Sequence, residues 1–114
     1  VLPRHENCAL SLLVSAGLDS VAIRVPAHPA AQALLTMSGL PLAAPSANPS
    51  GAVSPTRAVH VAATLGDKVA MIIDGGPCAI GQASTVVDAS RFPFMVLREG
   101  AIPKKELERC LRVA

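Results

Sequence analysis

The chain has 114 residues, with 10 Lys+Arg against 8 Asp+Glu for a formal charge of +2; it is 51% hydrophobic and 16% charged, and it contains two Phe but neither Trp nor Tyr. That length suits one domain, or part of one, built on a single hydrophobic core. The hydrophobicity excludes a disordered chain, and so small a charge excess excludes an arm that grips nucleic acid by charge alone.

Three well-separated cysteines (Cys8, Cys78, Cys110) form no Cys-x-x-Cys pair. This argues against a disulfide framework or a zinc site and points to a reducing cytoplasm. The longest run free of Asp, Glu, Lys and Arg, Val25 to Thr56, is interrupted by six prolines and cannot form a membrane helix. The opening Val1-Leu2-Pro3-Arg4, without an initiating Met, reads as the end of a strand already under way. Part of a domain is therefore expected to be missing.

Residues 8–17 match neither period, which leaves a short helix or an irregular segment open. Val21 to Val25 is a β-branched run stopped by Pro26 and predicts a strand. Pro29 opens a helix with Ala30, Ala33, Leu34 and Met37 on its apolar stripe and Gly39 as its stop. Pro41 to Ala44 reads as a short buried strand, followed by a loop from Pro45 to Val53. Ser54 is a natural N-cap and Pro55 a natural first residue for a second helix, whose stripe is Ala58, Val61, Ala62 and Leu65 and whose end is Gly66. Val69 to Asp74 predicts a strand closed by the Gly75-Gly76-Pro77 turn. Ser84 to Asp88 and Phe94 to Arg98 predict two neighbouring strands. Pro103 opens a last helix, with Leu107, Cys110 and Leu111 inward and Lys104, Lys105, Glu106, Glu108, Arg109 and Arg112 toward water. Strands mixed with helices, without a strict βαβ repeat, predict an α/β or α+β sheet with helices packed on it. No internal repeat or dividing linker is present.

Metal and nucleophile chemistry find little support. His5, His28 and His60 stand alone, without partners at ligand spacing, and read as ordinary surface or core histidines. No Gly-x-Ser-x-Gly elbow occurs. Gly76 to Gly81 has the spacing of a phosphate loop, but Gln82 replaces the lysine and Ala83 follows, so it reads as a tight connection.

The loop into the second helix is more informative. It concentrates Ser46, Asn48, Ser50 and Ser54 in an uncharged stretch that feeds a helix N-terminus, where free N–H groups suit a phosphate or carboxylate. Arg57 stands where a capping box would have Glu, so nothing local competes with an outside anion. An ordinary capped loop is the alternative. Arg24 on an apolar strand and Arg98 at the end of another each need a partner if buried. Bound anions and the carboxylates Asp19, Asp74, Asp88 and Glu99 both fit the spacing.

Six segments then occur in a fixed order: Ala22-Ile-Arg-Val-Pro-Ala-His-Pro29, Pro41-Leu-Ala-Ala-Pro-Ser-Ala-Asn-Pro-Ser-Gly51, Ser54-Pro-Thr56, Asp74-Gly-Gly-Pro77, Ser84-Thr-Val-Val-Asp88 and Leu97-Arg-Glu-Gly-Ala101. Together they resemble the YrdC-like family over nearly the whole chain. The resemblance implies an α/β fold with a twisted mixed sheet and packed helices around a deep basic cavity. Residues 1–114 would be the C-terminal portion of a single such domain, lacking its N-terminal part.

It also implies threonylcarbamoyl-AMP synthesis, in which ATP, L-threonine and bicarbonate yield L-threonylcarbamoyladenylate and pyrophosphate. ATP would arrive with Mg2+, and no metal would be bound by the protein itself. A partner complex then passes the threonylcarbamoyl group to the adenosine beside the anticodon in tRNAs that read codons beginning with A. Carried over residue by residue, the resemblance puts L-threonine near Arg24, Ala44 and Ser84, and ATP near Ser20, Ser46, Asn48, Ser54 and Arg98. Arg24 suits a carboxylate through paired hydrogen bonds, and Arg98 suits phosphate charge. Catalysis would be positioning and electrostatic stabilisation without a protein nucleophile.

Two departures stand out. Ala83 replaces the glutamate usual before the Ser-Thr pair, and the family's front half, with its Thr-x-Tyr-Gly and Lys-x-Arg segments, is absent, so the chain alone is expected to be inactive. The alternative is a non-catalytic YrdC-like module that binds RNA. A carbamoyl-adenylate maturation enzyme is a third option, and it would need zinc-finger or acylphosphatase-type domains elsewhere. An exposed sheet edge predicts self-association of the isolated chain.

Overall fold

Proline and register decide where the strands stop. The computed structural model describes residues 1–78 and 83–111. The chain divides into two units, Val1–Val25 with Gln82–Ala114, and Pro26–Gly81.

In the first unit, β1 (Leu2–Pro3) pairs antiparallel with β2 (Ser20–Val21), Leu2 opposite Val21 and Pro3 opposite Ser20. The predicted strand over Val21 to Val25 is thus realised only at its first residue. In this register Val1 lies opposite Ala22, and among the described residues Ile23 to Val25 pair in no ladder. Val1 instead bonds its other neighbour. Its nitrogen donates to the Val87 carbonyl at 2.6 Å, and the Ala89 N–H donates to the Val1 carbonyl at 2.9 Å. One residue bonded to two positions on either side of the facing residue is the parallel pattern. Val87 lies in β3 (Val86–Asp88), which pairs antiparallel with β4 (Met95–Arg98) as its neighbour, with a shift between Val86 and Val87. Parallel and antiparallel links therefore coexist in this unit.

Between β1 and β2 the chain makes one 3-10 helix, Leu12–Ser15, whose first amide bond is supplied by the Ser11 hydroxyl. Arg4 holds this loop. Its guanidinium donates to the Leu10 carbonyl and, at 3.1 Å, to the hydroxyl of Ser15, which is buried. The last helix, α1 of this unit, covers Lys104–Cys110 and starts after Pro103 as predicted. Its covered face is Lys104, Leu107 and Leu111, whereas Cys110 is exposed. The prediction for Cys110 is corrected: the lysine stem, not the thiol, shares the apolar face. Arg112 and the stretch 79–82 of the phosphate-loop spacing lie outside the described residues.

In the second unit, α2 covers Pro29–Ser38 and ends on Gly39 at φ 62°, as predicted. Its start is set by His28, whose Nδ1 accepts the Ala30 N–H at 3.1 Å. The covered residues are Ala30, Ala31 and Leu35, while Leu34 and Met37 of the predicted stripe are exposed. Next, α3 covers Ala58–Leu65, three residues later than Ser54-Pro55 would start it. Its half-covered face is Ala58, Val61 and Leu65, and Ala62 is exposed. Pro41 to Ala44 and Val69 to Asp74, predicted as strands, form no ladder among the described residues; both are largely exposed.

Among the described residues Val21 is the one buried hydrophobic side chain, while Leu13, Met37 and Val53 are 91%, 87% and 92% exposed. The expectation of a single core is corrected accordingly. The apolar stripes exist, but nothing among the described residues covers them.

Candidate functional site

The eight predicted site residues fall into two sets: Ser20, Arg24, Ser84 and Arg98 in the first unit, and Ala44, Ser46, Asn48 and Ser54 in the second.

In the first set, β3 and β4 bring two of them together. Arg98 closes β4 and reaches back to Ser84, its Nε donating to the Ser84 carbonyl at 3.0 Å and its Nη2 to the Ser84 hydroxyl at 2.9 Å. The segments carrying them are stitched further along. The Ala101 N–H donates to the Ala83 carbonyl at 3.1 Å, and the Thr85 hydroxyl donates to the Ile102 carbonyl at 2.7 Å while accepting its N–H at 3.1 Å. Gly100 makes this approach possible. A Cβ there would stand 2.2 Å from the Ala83 carbonyl oxygen and 2.5 Å from the Thr85 nitrogen, distances no side chain tolerates. Ala83 itself is exposed and contributes only this carbonyl, a bond that any residue would make.

Ser20 sits in β2 opposite Pro3, half-buried. Arg24 follows β2 and is exposed. The argument that it needs a partner therefore fails at its premise, since a guanidinium left in water has lost no solvation. Beyond Ser84, β3 ends on Asp88. Hydrogen bonds from the Ser90 hydroxyl and the Ser90 N–H hold its carboxyl below the usual carboxylate value of 3.8.

In the second set, Ala44 and Ser46 lie exposed on the extended run after α2. Asn48 closes the turn that follows, its Nδ2 donating to the carbonyls of Pro49 at 2.9 Å and Ala52 at 3.2 Å. Both partners are acceptors, which fixes the orientation of the amide. Its Oδ1 is buried and has no partner among the described residues. Asn48 and Ser54 then line one cavity of about 220 Å³, together with Val53, Pro55, His60 and Thr64. Sequence reasoning missed His60 and Thr64 here. Their spacing of four puts them on one helical face beside the loop, which is the pattern that could have found them.

The loop's helix terminus differs from expectation. Arg57, not Ser54, occupies the cap position of α3; it makes no side-chain cap bond, and the first turn holds no acidic residue. Ser54 is exposed. At Gly75-Gly76 the structure shows only an Asx-type turn, the Asp74 carboxylate accepting the Gly76 N–H at 2.9 Å, and the strand it was expected to close does not form.

The Sua5/YciO/YrdC family model, described as "Telomere recombination", matches residues 1–100. A Bacillus subtilis protein named threonylcarbamoyl-AMP synthase is 54% identical over 108 residues, covering 95% of this chain and 31% of that protein. The Pyrococcus abyssi protein of the same name is 46% identical over 111 residues, covering 97% of this chain and 32% of that protein. Among solved structures, a double variant of P. abyssi Sua5 superposes with a TM-score of 0.86 at 44% identity, and P. abyssi Sua5 complexed with L-threonine with a TM-score of 0.84 at 44% identity. Each match covers 99% of this chain, but only 35% and 34% of those chains respectively. The chain thus spans about a third of the length of these relatives. With its six ordered segments and a fold shared across that length, it belongs to the Sua5/YciO/YrdC family.

Proposed function

We propose that the protein carrying this chain is a threonylcarbamoyl-AMP synthase. The observation that carries the reading is 54% identity across 95% of the chain to a relative of that name. In the reaction, the threonine nitrogen joins the carbon of bicarbonate with loss of water. An oxygen of the resulting carbamate then displaces pyrophosphate from the α-phosphorus of ATP.

The geometry supports a division of labour. Arg98, exposed and with two of its N–H groups on Ser84, keeps its other donors for phosphate charge. Ser54 and Asn48 share a cavity of a size that suits a phosphate or ribose rather than a whole nucleotide. Ser20 and Ser46 extend the ATP set, and Arg24, Ala44 and Ser84 form the L-threonine set. Magnesium belongs to the substrate, as the counter-ion of ATP. The product would pass to a complex that modifies tRNA in the cytoplasm. No helix among the described residues is long and apolar enough to cross a membrane.

The test is pyrophosphate release from ATP by the protein that carries this chain, with whatever sequence precedes and follows it. Release that requires both L-threonine and bicarbonate, and collapses in Ser46→Ala and Arg98→Ala, is the expected result. A folded protein that binds ATP and releases nothing would leave the non-catalytic module as the reading, and steep loss of RNA affinity with salt would mark it.

A further inference from the structure

Helix α3 starts later than its sequence would start it, and one side chain accounts for the delay. Ser54 and Pro55 are a favourable cap and first residue, yet residues 54–57 lie outside the helix. The Thr56 N–H donates instead to Nδ1 of His60 at 3.3 Å, and the Thr56 hydroxyl lies 3.4 Å from the same nitrogen. The Thr56 carbonyl, which a helix begun at Pro55 would offer to the His60 N–H, accepts the Cys78 N–H at 2.7 Å. The His60 N–H turns to the Arg57 carbonyl at 3.1 Å. Both backbone groups of Thr56 are thus satisfied in the non-helical conformation. The Thr64 hydroxyl, donating to the His60 carbonyl at 3.1 Å, braces the turn from the other side.

We propose that His60 is a positioning residue for the nucleotide: by accepting the Thr56 amide at Nδ1 it holds Ser54 off helix α3, so that the serine hydroxyl is free for ATP in the cavity that both residues line. A serine spent as an N-cap would have its oxygen on a helix amide. Here that duty is removed. An Nδ1 that accepts an N–H carries no proton of its own. The proposal rests on the synthase reading through the assignment of Ser54 to ATP.

Three variants separate the role from general damage to the fold. His60→Asn keeps an acceptor oxygen near the place of Nδ1, His60→Gln moves it toward the place of Nε2, and His60→Ala removes it. In the protein that carries this chain, His60→Ala and His60→Gln should raise the KM for ATP and weaken ATP affinity in calorimetry about tenfold, as expected for misplacing one good hydrogen-bonding group. The kcat and the KM for L-threonine should stay near wild type, and His60→Asn should recover most of the loss. Amide exchange at Thr56 should be slow in wild type and in His60→Asn, and fast in His60→Ala. Unchanged ATP affinity in His60→Ala, equal rises in both KM values, or no recovery in His60→Asn would each overturn the proposal. If wild type binds ATP but releases no pyrophosphate, the synthase reading fails, and the calorimetric series alone decides on His60. A protein that binds no ATP overturns both.

Discussion

Arg98 and Ser84 hold one another: a guanidinium at the end of β4 donates at once to the hydroxyl and the carbonyl of the serine that precedes β3. The resemblance assigned these residues to different substrates, Ser84 to L-threonine and Arg98 to ATP. Their contact couples the two side chains, so the proposed L-threonine and ATP assignments meet at this pair.

Ser84→Ala should therefore raise the KM for ATP as well as that for L-threonine, because it removes one of the two bonds that orient Arg98. Arg98→Lys keeps the charge but cannot make the forked contact, and its rate should fall at least about tenfold, the scale of one lost charge-assisted bond. Steady-state kinetics with each substrate varied in turn provide the check. A threonine-only effect of Ser84→Ala would show that the two residues act separately.

Gly100 is the steric condition for that arrangement. Its absent side chain leaves room for the backbone of residues 83–85 at distances that a methyl group cannot share. Gly100→Ala should destabilise the protein by roughly 1–3 kcal/mol, the range for overpacking a close contact. Urea unfolding measures the loss. Because the β4 end would be pushed away from Ser84, activity should fall more than the loss of stability alone explains.

Asp88 sets a pH dependence whose sign follows from its partners. Hydrogen bonds from Ser90 favour the carboxylate and lower the acid's pKa in the folded chain. The stabilisation is therefore complete above the ordinary carboxylate value and disappears as pH falls through the lowered one. An NMR titration should find Asp88 protonating below the usual carboxylate range, with Ser90 amide exchange accelerating only at that acidity. In Ser90→Ala the titration should move up, and an unmoved midpoint would discount the hydroxyl as a cause.

Much of this was legible where it is local. Helix α2 with its Gly39 stop, the last helix after Pro103, and β3 and β4 as neighbours follow from periodicity, caps and short connections. What failed were the strands whose expected partner is not a close neighbour in sequence. Ile23 to Val25, Pro41 to Ala44 and Val69 to Asp74 have strand composition, but composition states a preference for burial and cannot supply the neighbouring strand. Met37 and Leu34 lie on a correct apolar stripe that nothing described covers. At the site, Ser54 looked like a cap because cap preference is read from one residue. The competing bonds of Thr56 come from His60 and from Cys78, the latter twenty-two positions away. The pairing of Asn48 with Ser54 in one cavity, and of Ser84 with Arg98, emerged only from tertiary structure.

The exposed apolar side chains carry their own consequence. Leu13, Val25, Met37 and Val53 are each at least 87% exposed, and apolar surface in that amount drives association. The isolated 114-residue chain should sediment as concentration-dependent oligomers. A single monomeric boundary at high concentration would mean that these side chains fold onto each other in solution.

His28 ties the start of α2 to a distant turn, and its two nitrogens do separate work. Nδ1 accepts the Ala30 N–H as an N-cap, and Nε2, which then carries the proton, donates to the Gly75 carbonyl at 3.1 Å. The ring also lies where a Gly75 side chain would be, 2.8 Å from its Cβ position. His28→Asn should keep the cap and lose the tie, whereas His28→Ala should lose both. The cap is worth about 1 kcal/mol, so His28→Ala should unfold at lower urea than His28→Asn by about that amount. Amide exchange separates the two effects further: Ala30 should be exposed only in His28→Ala, while the Gly75-Gly76 turn should loosen in both. Equal stability of the two variants would show that the ring acts by packing against Gly75 and not through its nitrogens.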